Sequence, residues 1–205
     1  MSEIIQIIDY GMGNILSVVR GFSSMGADVK IVKSANEIDM SKKLILPGVG
    51  SFKDGISNLK ERGLFELIID YHNSSSSYLL GICLGMQMLA TYGEANGGSE
   101  GLDIIPGRVT LLEVHKDFPI PHVGWNSVNQ VKKDNLYNEI PSFGDFYFVH
   151  SYQFVLNNQD NRIGTTQYGN EFNSIVRMNK TYGVQFHPEK SQKFGLQLLK
   201  NFVRL

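Results

Sequence analysis

One segment constrains this chain more than any other: Tyr78-Leu79-Leu80-Gly81-Ile82-Cys83-Leu84-Gly85-Met86-Gln87, an apolar run entering Gly-x-Cys-x-Gly. The run predicts a buried strand and the residues after it a helix, with Cys83 at the tight turn between them. A residue at such a turn is held in a strained backbone conformation, and flanking glycines let neighbouring backbone pass without a Cβ clash. This is the layout of a nucleophile elbow. Unpaired N–H groups and the positive dipole end of the following helix favour a thiolate at that point. A lone cysteine is otherwise most often a buried, inert side chain, and the glycines on both sides argue for the reactive alternative.

The chain around the elbow alternates strand and helix. Ile4 to Ile8, closed by Asp9 and Gly11, predicts a buried parallel strand. A helix is predicted from Asn14 to Met25, with Ile15, Val18, Val19 and Phe22 on one face and a stop at Gly26. Ala27 to Lys33 and Lys43 to Leu46 predict strands, the second ending at Pro47-Gly48-Val49-Gly50; Phe52 to Arg62 and Leu64 to His72 predict helices. The serines from Ser74 to Ser77 are expected to form a surface turn. The pattern implies an α/β fold: a doubly wound, mostly parallel sheet flanked by helices, with its ligand site at the carboxyl ends of the strands.

The second half changes character. Val109 to Leu112, Phe146 to Val149 and Ser174 to Arg177 predict strands separated by Asn- and Gly-rich turns, an added antiparallel section. A final helix from Ser191 to Val203 carries Phe194, Leu198 and Phe202 four residues apart, one inward stripe. No repeat or low-complexity tract divides the 205 residues, so one domain over 1–205 is expected.

Composition excludes several classes. A chain of this length, 42% hydrophobic and 19% charged, can bury a core without disulfide or metal. One cysteine allows no intramolecular disulfide, so a cytoplasmic setting is expected. The N-terminus has no basic segment, and the longest nearly apolar run, Tyr78 to Met86, falls short of the roughly 20 residues that span a bilayer. A net charge of −1, with no basic run beyond Lys42-Lys43 or Lys132-Lys133, argues against a nucleic-acid partner. Five scattered histidines and one cysteine give no zinc pattern, and neither metal nor cofactor is expected.

A second segment, Tyr182-Gly183-Val184-Gln185-Phe186-His187-Pro188-Glu189-Lys190-Ser191, delivers a base from a strand end. Glu189 stands two residues beyond His187, where its carboxylate can fix the imidazole tautomer that cysteine acyl transfer needs. His-Pro-Glu alone is as consistent with a plain turn; paired with the elbow it points to catalysis. Acyl transfer also builds charge on a carbonyl oxygen, which backbone N–H groups stabilise. Leu84 N–H is one candidate, and Val49 or Gly50 in the neighbouring loop a second.

Together these residues resemble the class I (triad) glutamine amidotransferases, and within them the HisH-type glutaminase subunits of imidazole glycerol phosphate synthase. Gly81 to Gln87 and His187-Pro188-Glu189 are similar to the class-wide motifs. Asp9 to Asn14, Leu46 to Phe52, Pro121 to Asn126, Phe148 to Tyr152 and Gly183 to Ser191 look like the subunit's own blocks, in its order. The resemblance implies a flavodoxin-like fold and hydrolysis of L-glutamine to glutamate and ammonia through a thioester on Cys83, with His187 as acid/base and Glu189 orienting it. It implies that Gln87, Tyr147, Ser151 and Glu94 hold substrate. It also implies that Asn14, Trp125 and Lys190 face a separate (β/α)8 cyclase subunit, in a heterodimer that passes ammonia on for histidine synthesis. Two positions depart from the pattern: Gly93-Glu94-Ala95 where a Ser-x-Glu is common, and Gln153 after His150-Ser151-Tyr152. They leave open a paralogue that feeds ammonia to a sugar-modifying amidotransferase of surface-polysaccharide synthesis. A catalytically silent binding module and a cysteine-peptidase or deglycase type of hydrolase are the rivals from outside the class.

Overall fold

The computed structural model describes residues 3–74 and 77–205. Its first half alternates β1 (Ile4–Ile8), α1 (Ile15–Ser23), β2 (Asp28–Val32), β3 (Lys43–Gly48), α2 (Phe52–Glu61), α3 (Phe65–Ser74), β4 (Leu79–Cys83) and the short α4 (Leu84–Met88). Two-residue strands β5 (Tyr92–Gly93) and β6 (Ser99–Glu100) lead into β7 (Gly107–Leu111), β8 (His122–Gln130), β9 (Gly144–His150) and β10 (Tyr152–Leu156). β11 (Arg162–Tyr168), β12 (Asn170–Met178), β13 (Thr181–Val184) and α5 (Gln192–Arg204) complete the chain.

β2, β1, β3, β4 and β13 are neighbours in that order and pair in parallel, the 2-1-3-4-5 arrangement of flavodoxin-like sheets. From β13 the sheet continues through antiparallel pairings with β12 and β10, and β10 pairs antiparallel with β7. The β8–β9 ribbon joins this section through β11. Strand alternation splits the interior in two. Leu44 and Leu46 of β3 pack with Ile56, Leu59 and Ile68 of α2 and α3, whereas Ile45, Ile5, Ile7 and Ile82 pack with Phe22 of α1 and Leu198 and Phe202 of α5. Cys83 belongs to the second cluster. Phe194, the first residue of the α5 stripe, is only half-buried.

Element boundaries moved where local chemistry required it. α1 starts one residue late because Asn14 caps it, its side chain accepting the Ser17 N–H at 3.3 Å. It ends early because Met25 and Gly26 bond to Phe22 and Ser23, tightening the chain into three-residue turns. β3 runs two residues further than predicted, through Pro47 and Gly48. Leu44 N–H bonds to Tyr78 O on the β4 side, so alternation turns the Pro47 nitrogen toward β1. Pairing with β1 has stopped at Ile45, and the missing N–H breaks no ladder bond. Of the serine run, Ser75 and Ser76 lie outside the described residues; Ser74 closes α3 and Ser77 is buried. Among the described residues, no helix is long and apolar enough to cross a membrane.

Candidate active site

The carboxyl ends of β3 and β4 meet in register, Gly48 opposite Cys83. Cys83 has φ +54° and ψ −109°, a left-handed conformation that costs a non-glycine residue about 1–3 kcal/mol and needs tight surroundings to persist. Those surroundings admit no side chains: a Cβ on Gly85 would overlap the Leu46 carbonyl, and one on Gly81 would sit 2.7 Å from Gly85 O. The helix that follows is only five residues long, so the dipole expected to favour a thiolate amounts to little more than one turn. The side chains around the sulfur therefore matter more than the sequence suggested.

His187 lies three residues beyond β13, its N–H bonded to Tyr147 O at 2.9 Å. Its Nδ1 stands 2.9 Å from Glu189 Oε1, and the two side chains are 3% and 1% exposed. Gly21 of α1 lies against Glu189, where a Cβ would meet both Glu189 and Leu199 of α5. A carboxylate only accepts, so Nδ1 carries the proton and Nε2, buried without a hydrogen-bond partner, is left for the sulfur. Burial disfavours the charged imidazole, but the neighbouring Cys83 and Glu189 side chains outweigh it and raise the His187 pKa to about 10. The arrangement holds a proton beside the sulfur, ready for transfer to a leaving group.

Cys83 opens on a cavity of about 330 Å³, lined by Val49, Gly50, Leu84, Gln87, Pro121, Val149, His150, Ser151 and Tyr152. That volume suits a ligand of amino-acid size. A second hollow shares Gly50, Gln87 and Tyr152 and adds Ser51, Phe52, Ala95 and Asn96. The oxyanion candidates Val49, Gly50 and Leu84 and the substrate candidates Gln87 and Ser151 are thus brought together. Leu84 N–H is the first of α4 and has no intrahelical acceptor.

Two expected substrate residues are elsewhere. Glu94 is exposed at the start of the short 3-10 turn after β5 and pairs with Arg108 at 3.4 Å, while Gly93 and Ala95 on either side are buried. Among the described residues lining either hollow, none is acidic. Tyr147 stands opposite Trp125 in the β8–β9 register, ring centroids 6.0 Å apart, and does not line the cavity. Trp125, 49% exposed, borders Ser191, next to Lys190; Lys190 and Asn14 are exposed at the same end of the sheet, and Asn14 also serves as the α1 cap.

The sequence did not single out three further polar residues. Gln185 is fully buried with Nε2 3.8 Å from Cys83 Sγ. His150 lines the cavity, and its Nδ1 donates to Tyr152 O at 2.8 Å while its Nε2 faces His122 Nδ1 at 3.0 Å. Burial above all lowers the pKa of His150 to about 3 and that of His122 to about 4, so both are neutral. The signal for Gln185 was its place just after the strand and two residues before His187.

The chain belongs to the class-I glutamine amidotransferases: the profile of that family matches residues 6–205. It is 44% identical over 200 residues to imidazole glycerol phosphate synthase subunit HisH 2 of Methanococcus maripaludis, covering 98% of each chain. It is 44% identical over 201 residues to subunit HisH of Moorella thermoacetica, covering 98% of this chain and 94% of that one. Subunit HisH 2 of Pseudomonas aeruginosa is 40% identical, with 98% of this chain and 99% of that one covered. Among solved structures, PurLQS of Thermotoga maritima superposes with a TM-score of 0.76 at 14% identity, covering 100% of this chain and 99% of that one. A glutamine amidotransferase of Thermotoga maritima does so with a TM-score of 0.64 at 19% identity, covering 100% and 82%. These two likenesses establish the fold.

Proposed function

We propose that this chain is the glutaminase subunit of an imidazole glycerol phosphate synthase. Its similarity to HisH subunits along nearly its whole length carries the reading. In the proposed reaction Cys83 Sγ, its proton held by His187, attacks the side-chain amide carbon of glutamine. The developing oxyanion is met by backbone N–H groups of Leu84 and of Val49 or Gly50. Collapse breaks the C–N bond, and His187 Nε2 gives the proton to departing ammonia. Water, deprotonated by His187, then attacks the γ-glutamyl thioester, and C–S cleavage releases glutamate and the sulfur. Glu189 keeps the proton on Nδ1 throughout, while Gln87 and Ser151 shape the substrate cavity.

Ammonia has to reach a second active site, for which a separate (β/α)8 cyclase subunit is the proposed partner, docked over Trp125, Lys190 and Asn14. Val123, 56% exposed, and Leu16, 65% exposed, add apolar surface on the strand of Trp125 and the helix capped by Asn14. Ammonia channelling in a cytoplasmic heterodimer with hydrolase and lyase steps, serving histidine synthesis, follows from this reading, as does one amidotransferase domain over 1–205. The test is glutamate release by the purified chain, alone and with the cyclase subunit of the same source and its ribonucleotide ligand. Strong stimulation is expected. Glutamine hydrolysis unresponsive to that cyclase would transfer the partner role to a sugar-modifying synthase.

A further inference from the structure

We infer that Gln185 is a catalytic residue: its side-chain amide N–H donates to Cys83 Sγ and stabilises the sulfur whenever it is anionic. The inference rests on the proposed role of Cys83. A hydrogen-bonded chain fixes which end of the amide faces the sulfur. The Tyr152 carbonyl can only accept, so the Gln87 atom 3.3 Å from it is the nitrogen Nε2. That same nitrogen lies 3.1 Å from Gln185, whose facing atom must then be the acceptor Oε1. Gln185 Nε2 is left pointing at Sγ, 3.8 Å away. Flipping Gln185 would set nitrogen against nitrogen inside a buried site, so the donor orientation is built in.

Besides His187, the sulfur has a further polar neighbour that works the opposite way. Val149 O lies 3.9 Å from Sγ, where it accepts from a thiol but repels a thiolate. Gln185 supplies the compensating donor from a fully buried position that water does not share. Charge resides on sulfur twice in the cycle: before attack, and when the tetrahedral intermediate of thioester hydrolysis collapses and the C–S electrons return to sulfur. Gln185 serves both moments and transfers no proton.

The test uses two variants of the full chain. Gln185→Glu preserves shape and the acceptor for Gln87 but presents an oxygen to the sulfur; Gln185→Met preserves bulk and removes the donor. The readouts are the rate of Cys83 alkylation by iodoacetamide at pH 8, glutamate release with the cyclase subunit, and thermal unfolding. Loss of a hydrogen bond to a charged group predicts alkylation about tenfold slower in Gln185→Met and slower still in Gln185→Glu. A purely structural role predicts the reverse order, because glutamate is the better shape match. Folded Gln185→Glu that alkylates like wild type would overturn the inference even if Gln185→Met does not fold. Failure of the underlying reading shows separately, as glutamine hydrolysis that survives Cys83→Ala.

Discussion

Replacing His187 with alanine removes the partner of a carboxylate that is 1% exposed and whose second oxygen, Oε2, already lacks a hydrogen bond. The 2.9 Å contact to Nδ1 is lost, and the atoms nearest Glu189 across Gly21 are the backbone of α1 and the apolar Leu199 of α5. Deleting one member of a buried ion pair costs about 3–5 kcal/mol, a large part of the roughly 5–15 kcal/mol that holds a typical domain together. The wild type's advantage depends on pH. With the His187 pKa raised from 6.5 to about 10, the imidazolium contribution is complete below pH 6.5 and is lost as pH rises through about 10, so the deficit is largest at low pH and shrinks as pH rises, by at most about 1.4 kcal/mol per pH unit. Adding Glu189→Gln removes the unpaired charge, so His187→Ala/Glu189→Gln should recover most of the lost stability. Urea unfolding of all four proteins at pH 6, 7 and 8 gives the complete cycle. A His187→Ala deficit under about 1 kcal/mol at pH 8, independent of pH and unchanged in the double variant, would refute the buried-pair reasoning.

Three further outcomes follow from the same geometry. Glu189→Gln weakens one of the two supports of the His187 proton, so the alkaline edge of glutaminase activity should move below about 10, with turnover reduced roughly tenfold to hundredfold and not abolished; pH–rate profiles with the cyclase subunit check it. Gly85→Ala drives a methyl into the Leu46 carbonyl and should lower stability by about 3 kcal/mol or more, in calorimetry, before activity is considered. Trp125→Ala should leave the unfolding temperature of the isolated chain nearly unchanged, because the ring is 49% exposed, yet weaken cyclase binding by roughly thirtyfold in titration calorimetry.

The elbow was legible because two local signals coincide there: an apolar run of strand length and small residues at the points of closest approach. The carboxyl-end location followed from strand and helix alternation, and His187 with Glu189 from their spacing. What escaped depended on pairing across long sequence distances. Tyr147 turns toward Trp125 only because β8 and β9 pair with those residues opposite, 22 positions apart in the chain. Glu94 was named because it stands where the family often carries a Ser-x-Glu; the turn that follows β5 leaves it exposed, paired with Arg108. Gln185 and His150 lay inside recognised motifs without roles, since the hydrogen bonds that orient them come from Gln87, Tyr152 and His122 on other strands and helices.

The most direct test of the account is covalent. The chain with its cyclase subunit is mixed with glutamine, quenched in acid within a turnover, digested and mapped by mass spectrometry, beside a Cys83→Ala control assayed for glutamate. A γ-glutamyl group on the Cys83 peptide, with no glutamate from the control, is the predicted result. Glutamate release by Cys83→Ala at the wild-type rate, with no adduct on Cys83, would contradict it.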